Sequence, residues 1–293
     1  MLIYGALLGC VDPILTIAAA MALSRHPFLS PADRRQEANA ARKHLCTEMS
    51  DQLALLRAYE GWEKERERGG AGAARAYCER LFLSNMGMEE WGAIREQLAN
   101  TLRDVGLPHA TQQRQLHKIP LVRAIVTAGL YPQLLKIKLP ESKFVATASG
   151  AREQETSDAR ALRFFVHGGE RERAFLHPSS ALFGAARFPE QCWLVYHSKQ
   201  RTSKLFIRDA SLATPMALLL FGGDLSIDHH RQTVTLDKTI TFGAPSKFAV
   251  HVRELRAELD TLLLRKIDDP SLEIAGSKVL EAMCTLINTE KLV

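Results

Sequence analysis

Two textures divide the chain. Apolar residues recur at three- and four-residue spacing through roughly the first hundred positions, the period of helices that bury one face. Leu53, Leu56, Ala58, Tyr59 and Trp62 approximate one stripe, and Trp91, Ile94, Leu98, Leu102 and Val105 a second, with Gly106 as its stop. Cap and stop residues divide this region. Ser30-Pro31 opens a helix over Ala32–Leu45, and Ser50-Asp51 opens one that ends at Gly69-Gly70. Ala73–Leu83 and Met88–Val105 follow, so residues 1–106 read as all-helical.

Beyond Tyr131-Pro132 the apolar runs shorten and turn residues separate them. Leu134–Leu139, Leu162–His167, Cys192–His197, Lys204–Arg208, Asp224–Ile227 and Thr233–Leu236 have the spacing of strands in a small barrel. Residues 107–118 are polar and mark the best domain boundary, followed by a short helix over Ile119–Ala128. Glu141–Arg160 reads as a mobile hairpin insertion. Helices over Pro245–Lys266 and Ser277–Ile287 close the chain. The expected fold is α + β: an all-helical N-terminal domain, then a small all-β barrel with C-terminal helices.

Only Asp12 is charged among the first 23 residues, which raises the question of export. A signal peptide needs basic residues before its apolar run, and the first one here is Arg25. A membrane span needs ~20 uninterrupted apolar residues, and Asp12-Pro13 cuts the run. The stretch therefore predicts two buried helices, the second starting at Pro13 with Asp12 as its cap.

Composition adds little to this picture. The 293 residues carry a net charge of +5, which suits a polyanion partner and is also common among globular proteins. Five cysteines without a C-x-x-C pair predict an intracellular, reducing compartment: cytoplasm, nucleus or an organelle. No P-loop, G-x-G-x-x-G, H-E-x-x-H or G-x-S-x-G is present, so no self-contained active site is visible and neither catalytic nor metal-binding residues are assigned.

A family resemblance enters at specific residues. Gly5–Ala20 with His26-Pro-Phe28, Tyr59-Glu-Gly-Trp62, Lys118–Pro132, His177-Pro-Ser-Ser180, Tyr196–Ser203 and Leu218–Gly223 occur in order. Together they resemble the C-terminal region of DEAH-box (DEAH/RHA) RNA helicases. The resemblance implies residues 1–9 as the remnant of a winged-helix domain and 10–116 as a helical ratchet. It implies 117–266 as an OB-fold with opening and closing helices, and 267–293 as a helical tail. It further implies an RNA-binding accessory module for single-stranded or structured RNA. That module would couple to ATP-dependent motor domains in cis or in trans. ATP and Mg would belong to the motor, with no cofactor, no ATPase activity and no membrane contact in this chain. The alternative is a motor-less assembly factor docked in a ribonucleoprotein, with the apolar face of residues 1–9 as its docking surface.

Under that resemblance, phosphate contacts fall to a turn resembling the family's OB hook: Lys199, Arg201, Thr202, Ser203 and Lys204. His177, Ser179 and Ser180 form a second group able to offer hydroxyls, amides and a ring. Lys136 and Lys138 alternate along a strand, and line either a backbone groove or a solvated edge. Arg34, Arg35, Arg42 and Lys43 read as a solvated helix face, and Tyr59, Trp62, Trp91 and Trp193 as core.

Overall fold

The computed structural model describes residues 1–46, 48–107, 119–139, 143–147, 150–154, 162–168, 172–185, 187–189, 193–270, 272 and 277–290, with the side chains of 143–147 and 150–154 left aside. The expected linker at 107–118 falls outside it from 108 onward, as does half of the Glu141–Arg160 insertion.

Helices α1 (Leu2–Leu7) and α2 (Val11–Ala22) meet at Gly9, whose φ of 70° turns the chain between them. The second helix starts two residues earlier than Asp12-Pro13 predicts, with Cys10 at its cap. Proline fits anywhere in a first turn, because no intrahelical acceptor exists there for its missing N–H. Asp12, freed from capping, accepts from Arg95 across the domain. Tyr4 meets Phe221 edge-on at 5.2 Å and Met1 lies against Gly129. The apolar face expected to stay bare is thus largely absorbed within the chain, with Ile3 left 40% exposed.

Helix α3 (Arg35–Leu45) is followed by α4 (Asp51–Leu81) and α5 (Asn85–Asp104). Ser50 and Ser84 cap the latter two, each hydroxyl accepting a backbone N–H at 3.1 Å. Gly70, at φ 69° and ψ −163°, breaks α4 where Gly69-Gly70 predicts a stop. Trp62, Trp91 and Tyr59 are buried together, with ring centroids 4.9 to 5.5 Å apart. They are core residues, as their helical spacing suggests.

Helix α6 (Ile119–Leu130) leads into strand β1 (Leu134–Lys138). A hairpin of β2 (Lys143–Thr147) and β3 (Gly150–Gln154) pairs on itself. Then come β4 (Arg163–Val166), β5 (Arg173–Leu176), β6 (Trp193–Arg201) and β7 (Leu205–Ala213). The barrel closes in the order β1-β4-β5-β7-β6, with β5 and β7 parallel and the other neighbours antiparallel. Omitting the hairpin, this is strand order 1-2-3-5-4, the closure expected of an OB-fold. Leu135, Phe164, Val166, Ala174, Leu176, Leu205 and Ile207 fill its interior.

Three elements differ from the sequence reading. Leu218–Gly223, read as a loop, lies mostly in helix α7 (Pro215–Phe221); Thr214 caps it, Pro215 starts it and Gly222 ends it. The runs at 224–227 and 233–236 do not join the barrel. As β8 (Leu225–Asp228) and β9 (Thr233–Leu236), they pair with β10 (Ile240–Gly243) in a separate sheet. The physical reason is closure: β6 already pairs with β1, so the barrel has no free edge. Strand β5, which no run signalled, completes the ring. Helices α8 (Ser246–Asp268) and α9 (Lys278–Thr289) cover α6 and α7. No described helix is long and apolar enough to cross a membrane.

Candidate nucleic-acid interface

Strand alternation sends every second residue of β1, β4, β5 and β7 to the outside of the barrel. Register then decides which of them meet. Lys136 pairs with Phe165, and Phe165 with Arg173. Lys204 immediately precedes the Ala174–Leu205 pair, which places it beside Arg173. A second row runs from Lys138 to Arg163, whose register sets it opposite Phe175; Phe175 pairs with Phe206, and Phe206 with Gln200. His177 and Arg208 begin a third, with the Arg208 guanidinium 3.1 Å from His177 Nε2. The result is a checkerboard of cations and half-buried phenylalanines on one outer face. Among the described residues, no carboxylate occupies an outward position in these rows.

Side-chain contacts bind the pattern together. Lys204 Nζ lies 4.7 Å from the centre of the Phe175 ring, and Arg173 Cζ lies 4.9 Å from it. Phe175 and Phe206 are tilted by 50° with centroids 6.4 Å apart, and His177 meets Phe206 edge-on at 5.8 Å. Lys136 Nζ stands 5.9 Å over the Trp193 ring. Cations held over aromatic faces keep their stems on apolar surface and their charges in water. Burial, and after it the charges of Arg208 and Arg42, lower the His177 pKa, so its ring favours the neutral form.

The hook residues divide between two faces. Lys199 and Arg201 pair with Ile207 and Leu205, so they share the face of the hairpin that continues the barrel interior. Lys204 stands on the other face, over Phe175. Arg201 is ion-paired with Glu172. Thr202 and Ser203 are exposed in the turn, where the Thr202 N–H donates to the Lys204 carbonyl at 3.0 Å.

The His-Pro-Ser-Ser turn lies at the seam between ratchet and barrel. Ser180 is buried and donates to Asp51 Oδ2 at 2.6 Å. Asp51, at the start of α4, also accepts from the Ala181 N–H at 2.7 Å and the Ala210 N–H at 2.9 Å. Burial and the nearby Asp209 push the Asp51 carboxyl up to about 6, against the pull of these three donors. Burial also acts to raise Asp209, but a hydrogen bond to His26 at 3.1 Å and the surrounding positive charges hold it below the ordinary range. Ser179 Oγ lies 2.7 Å from His177 Nδ1, and its carbonyl accepts from Arg42. Arg42, read from sequence as part of a solvated face, is buried with its guanidinium over Phe28. Ser50, Gln52 and Ser211 extend the same buried network.

Residues 1–80 match the family model described as helicase associated domain (HA2), ratchet-like. Residues 122–225 match an oligonucleotide/oligosaccharide-binding (OB)-fold, and 232–289 a C-terminal domain in RNA helicases. The chain carries the C-terminal domains of the DEAH-box RNA helicases. It is 32% identical to the human ATP-dependent RNA helicase DHX29, over 99% of this chain and 21% of that protein. It is 33% identical to the human ATP-dependent DNA/RNA helicase DHX36, over 99% of this chain and 28% of the relative. The human putative ATP-dependent RNA helicase DHX57 is 33% identical over 99% of this chain and 23% of its own length. The chain thus spans between a fifth and a third of the length of these relatives.

Of the ten residues singled out from sequence, Lys136, Lys138, Lys204 and His177 meet on the checkerboard face of these helicase domains. Lys199 and Arg201 stand on the far side of the hook, Thr202 and Ser203 at its tip, and Ser179 and Ser180 at the seam. Sequence reading missed Arg163, Arg173, Arg208, Phe165, Phe175 and Phe206. Arg173 and Phe175 lie on the unsignalled strand, and the others stand outside only because their neighbours point in. The one available signal was alternation of Arg and Phe in the Arg163–Val166 and Arg173–Leu176 segments.

Proposed function

We propose that this chain is an RNA-binding accessory module of an ATP-dependent DEAH-box helicase. It holds a single strand by its backbone and couples to motor domains in cis or in trans. One observation carries the reading: six cations (Lys136, Lys138, Arg163, Arg173, Lys204 and Arg208) share one outer barrel face. Exposed cations in register can track successive phosphates without reading sequence. The relatives' names, as RNA helicases, support RNA as the polyanion.

The test is a titration of the chain with a single-stranded RNA dodecamer at several salt concentrations. Binding by backbone contact weakens with salt, with a log–log slope of about −0.7 per phosphate neutralised. Arg173→Gln with Lys204→Gln lowers both affinity and slope. The pair Lys199→Gln and Arg201→Gln reports separately on the far side of the hook. Absence of binding at low salt overturns the reading, and leaves a protein-docking role in a ribonucleoprotein as the better account.

A further inference from the structure

We propose that Phe175 and Phe206 form a stacking platform for unpaired RNA bases, an assignment that rests on the RNA-binding reading above. A surface that held only phosphates would need cations and no aromatic rings. Outward positions on water-facing strands are usually polar, yet β4, β5 and β7 each place a phenylalanine there. Phe175 and Phe206 are cross-strand partners. Their 50° tilt and 6.4 Å separation mean that neither ring stacks flat on the other. What lies over Phe175 is Lys204 and Arg173, two exposed flexible side chains. Each can swing from ring to phosphate when a base arrives, so one substitution of partners serves both nucleotide parts. Single-strand binding surfaces combine a basic track with such rings. A duplex keeps its base faces stacked on one another and cannot use the platform.

The experiment compares three ligands of equal length by fluorescence anisotropy with the 293-residue chain: single-stranded RNA, an abasic ribose-phosphate strand, and duplex RNA. Stacking contributes about 1–3 kcal/mol per base, so the normal strand should bind about fivefold or more tightly than the abasic one. Phe175→Leu keeps an apolar side chain in the strand but removes the flat ring. It should erase most of that difference, because the abasic strand has no base to lose. Phe206→Leu provides the second variant, with thermal unfolding confirming that both retain the fold. Equal binding of normal and abasic strands overturns the platform and leaves backbone binding intact. Salt-insensitive or absent binding of all three ligands overturns both readings. A Phe175→Leu protein that folds and retains the full preference for bases also overturns the platform.

Discussion

Asp51 allows the balance at the ratchet–barrel seam to be measured. Its carboxylate accepts three hydrogen bonds, from Ser180, Ala181 and Ala210, which favour the ionised form. Burial and Asp209 disfavour it, and they win: the carboxyl titrates at about 6. In the unfolded chain the value is ~3.9. The folded value is the higher one, so folding takes up a proton. The stabilising contribution is therefore complete below the unfolded value and is lost as pH rises through 6. Between pH 8 and pH 5 it amounts to about 1.4 kcal/mol, a tenfold change in the unfolding constant. Asp51→Asn cannot titrate and gains none of it. Urea unfolding of both proteins at the two pH values isolates the effect, because His177 and Asp209 are common to both. The wild type should gain about 1.4 kcal/mol on the variant on going from pH 8 to pH 5. A difference that stays constant, or moves the other way, would show that the three donors outweigh burial and refute the reasoning.

Three further outcomes follow from the geometry. Arg256 donates to the carbonyls of Leu219, Gly222 and Gly223 at 2.6 to 3.1 Å, so Arg256→Met should cost about 2–4 kcal/mol by chemical denaturation. A Cβ on Gly222 would lie 2.5 Å from the Leu218 carbonyl oxygen, a backbone atom that cannot step aside; Gly222→Ala should cost about 1–3 kcal/mol and lower the melting temperature. Removing the Lys204 charge by Lys204→Gln should reduce the salt slope of RNA binding by about 0.7, whatever the RNA sequence.

Local physics made much of the helical half legible. The stripe through Leu53–Trp62 identifies a buried face, and glycines mark stops, because helix periodicity and capping are properties of neighbours in the chain. The ends were less legible. Cys10 rather than Asp12 begins α2, since Asp12 has a better partner in Arg95, 83 residues away. Likewise Thr214-Pro215 is a readable start for α7, whereas the family resemblance assigns Leu218–Gly223 to a loop.

The candidate interface required more than neighbours. Sequence alone fixed that Lys136 and Lys138 alternate, that Lys204 follows a polar turn, and that Arg and Phe share short segments. It could not say that Lys136, Phe165, Arg173 and Lys204 form one row, because that depends on the register of four strands spread over residues 134–213. Nor could it separate Ser180 from Thr202, two hydroxyls in polar turns, one sealed against a buried carboxylate and the other in water. Side-chain period is set by the local backbone. Strand order, register and burial are set by closure of the barrel and its seam with the ratchet, and those are decided only when distant segments pack.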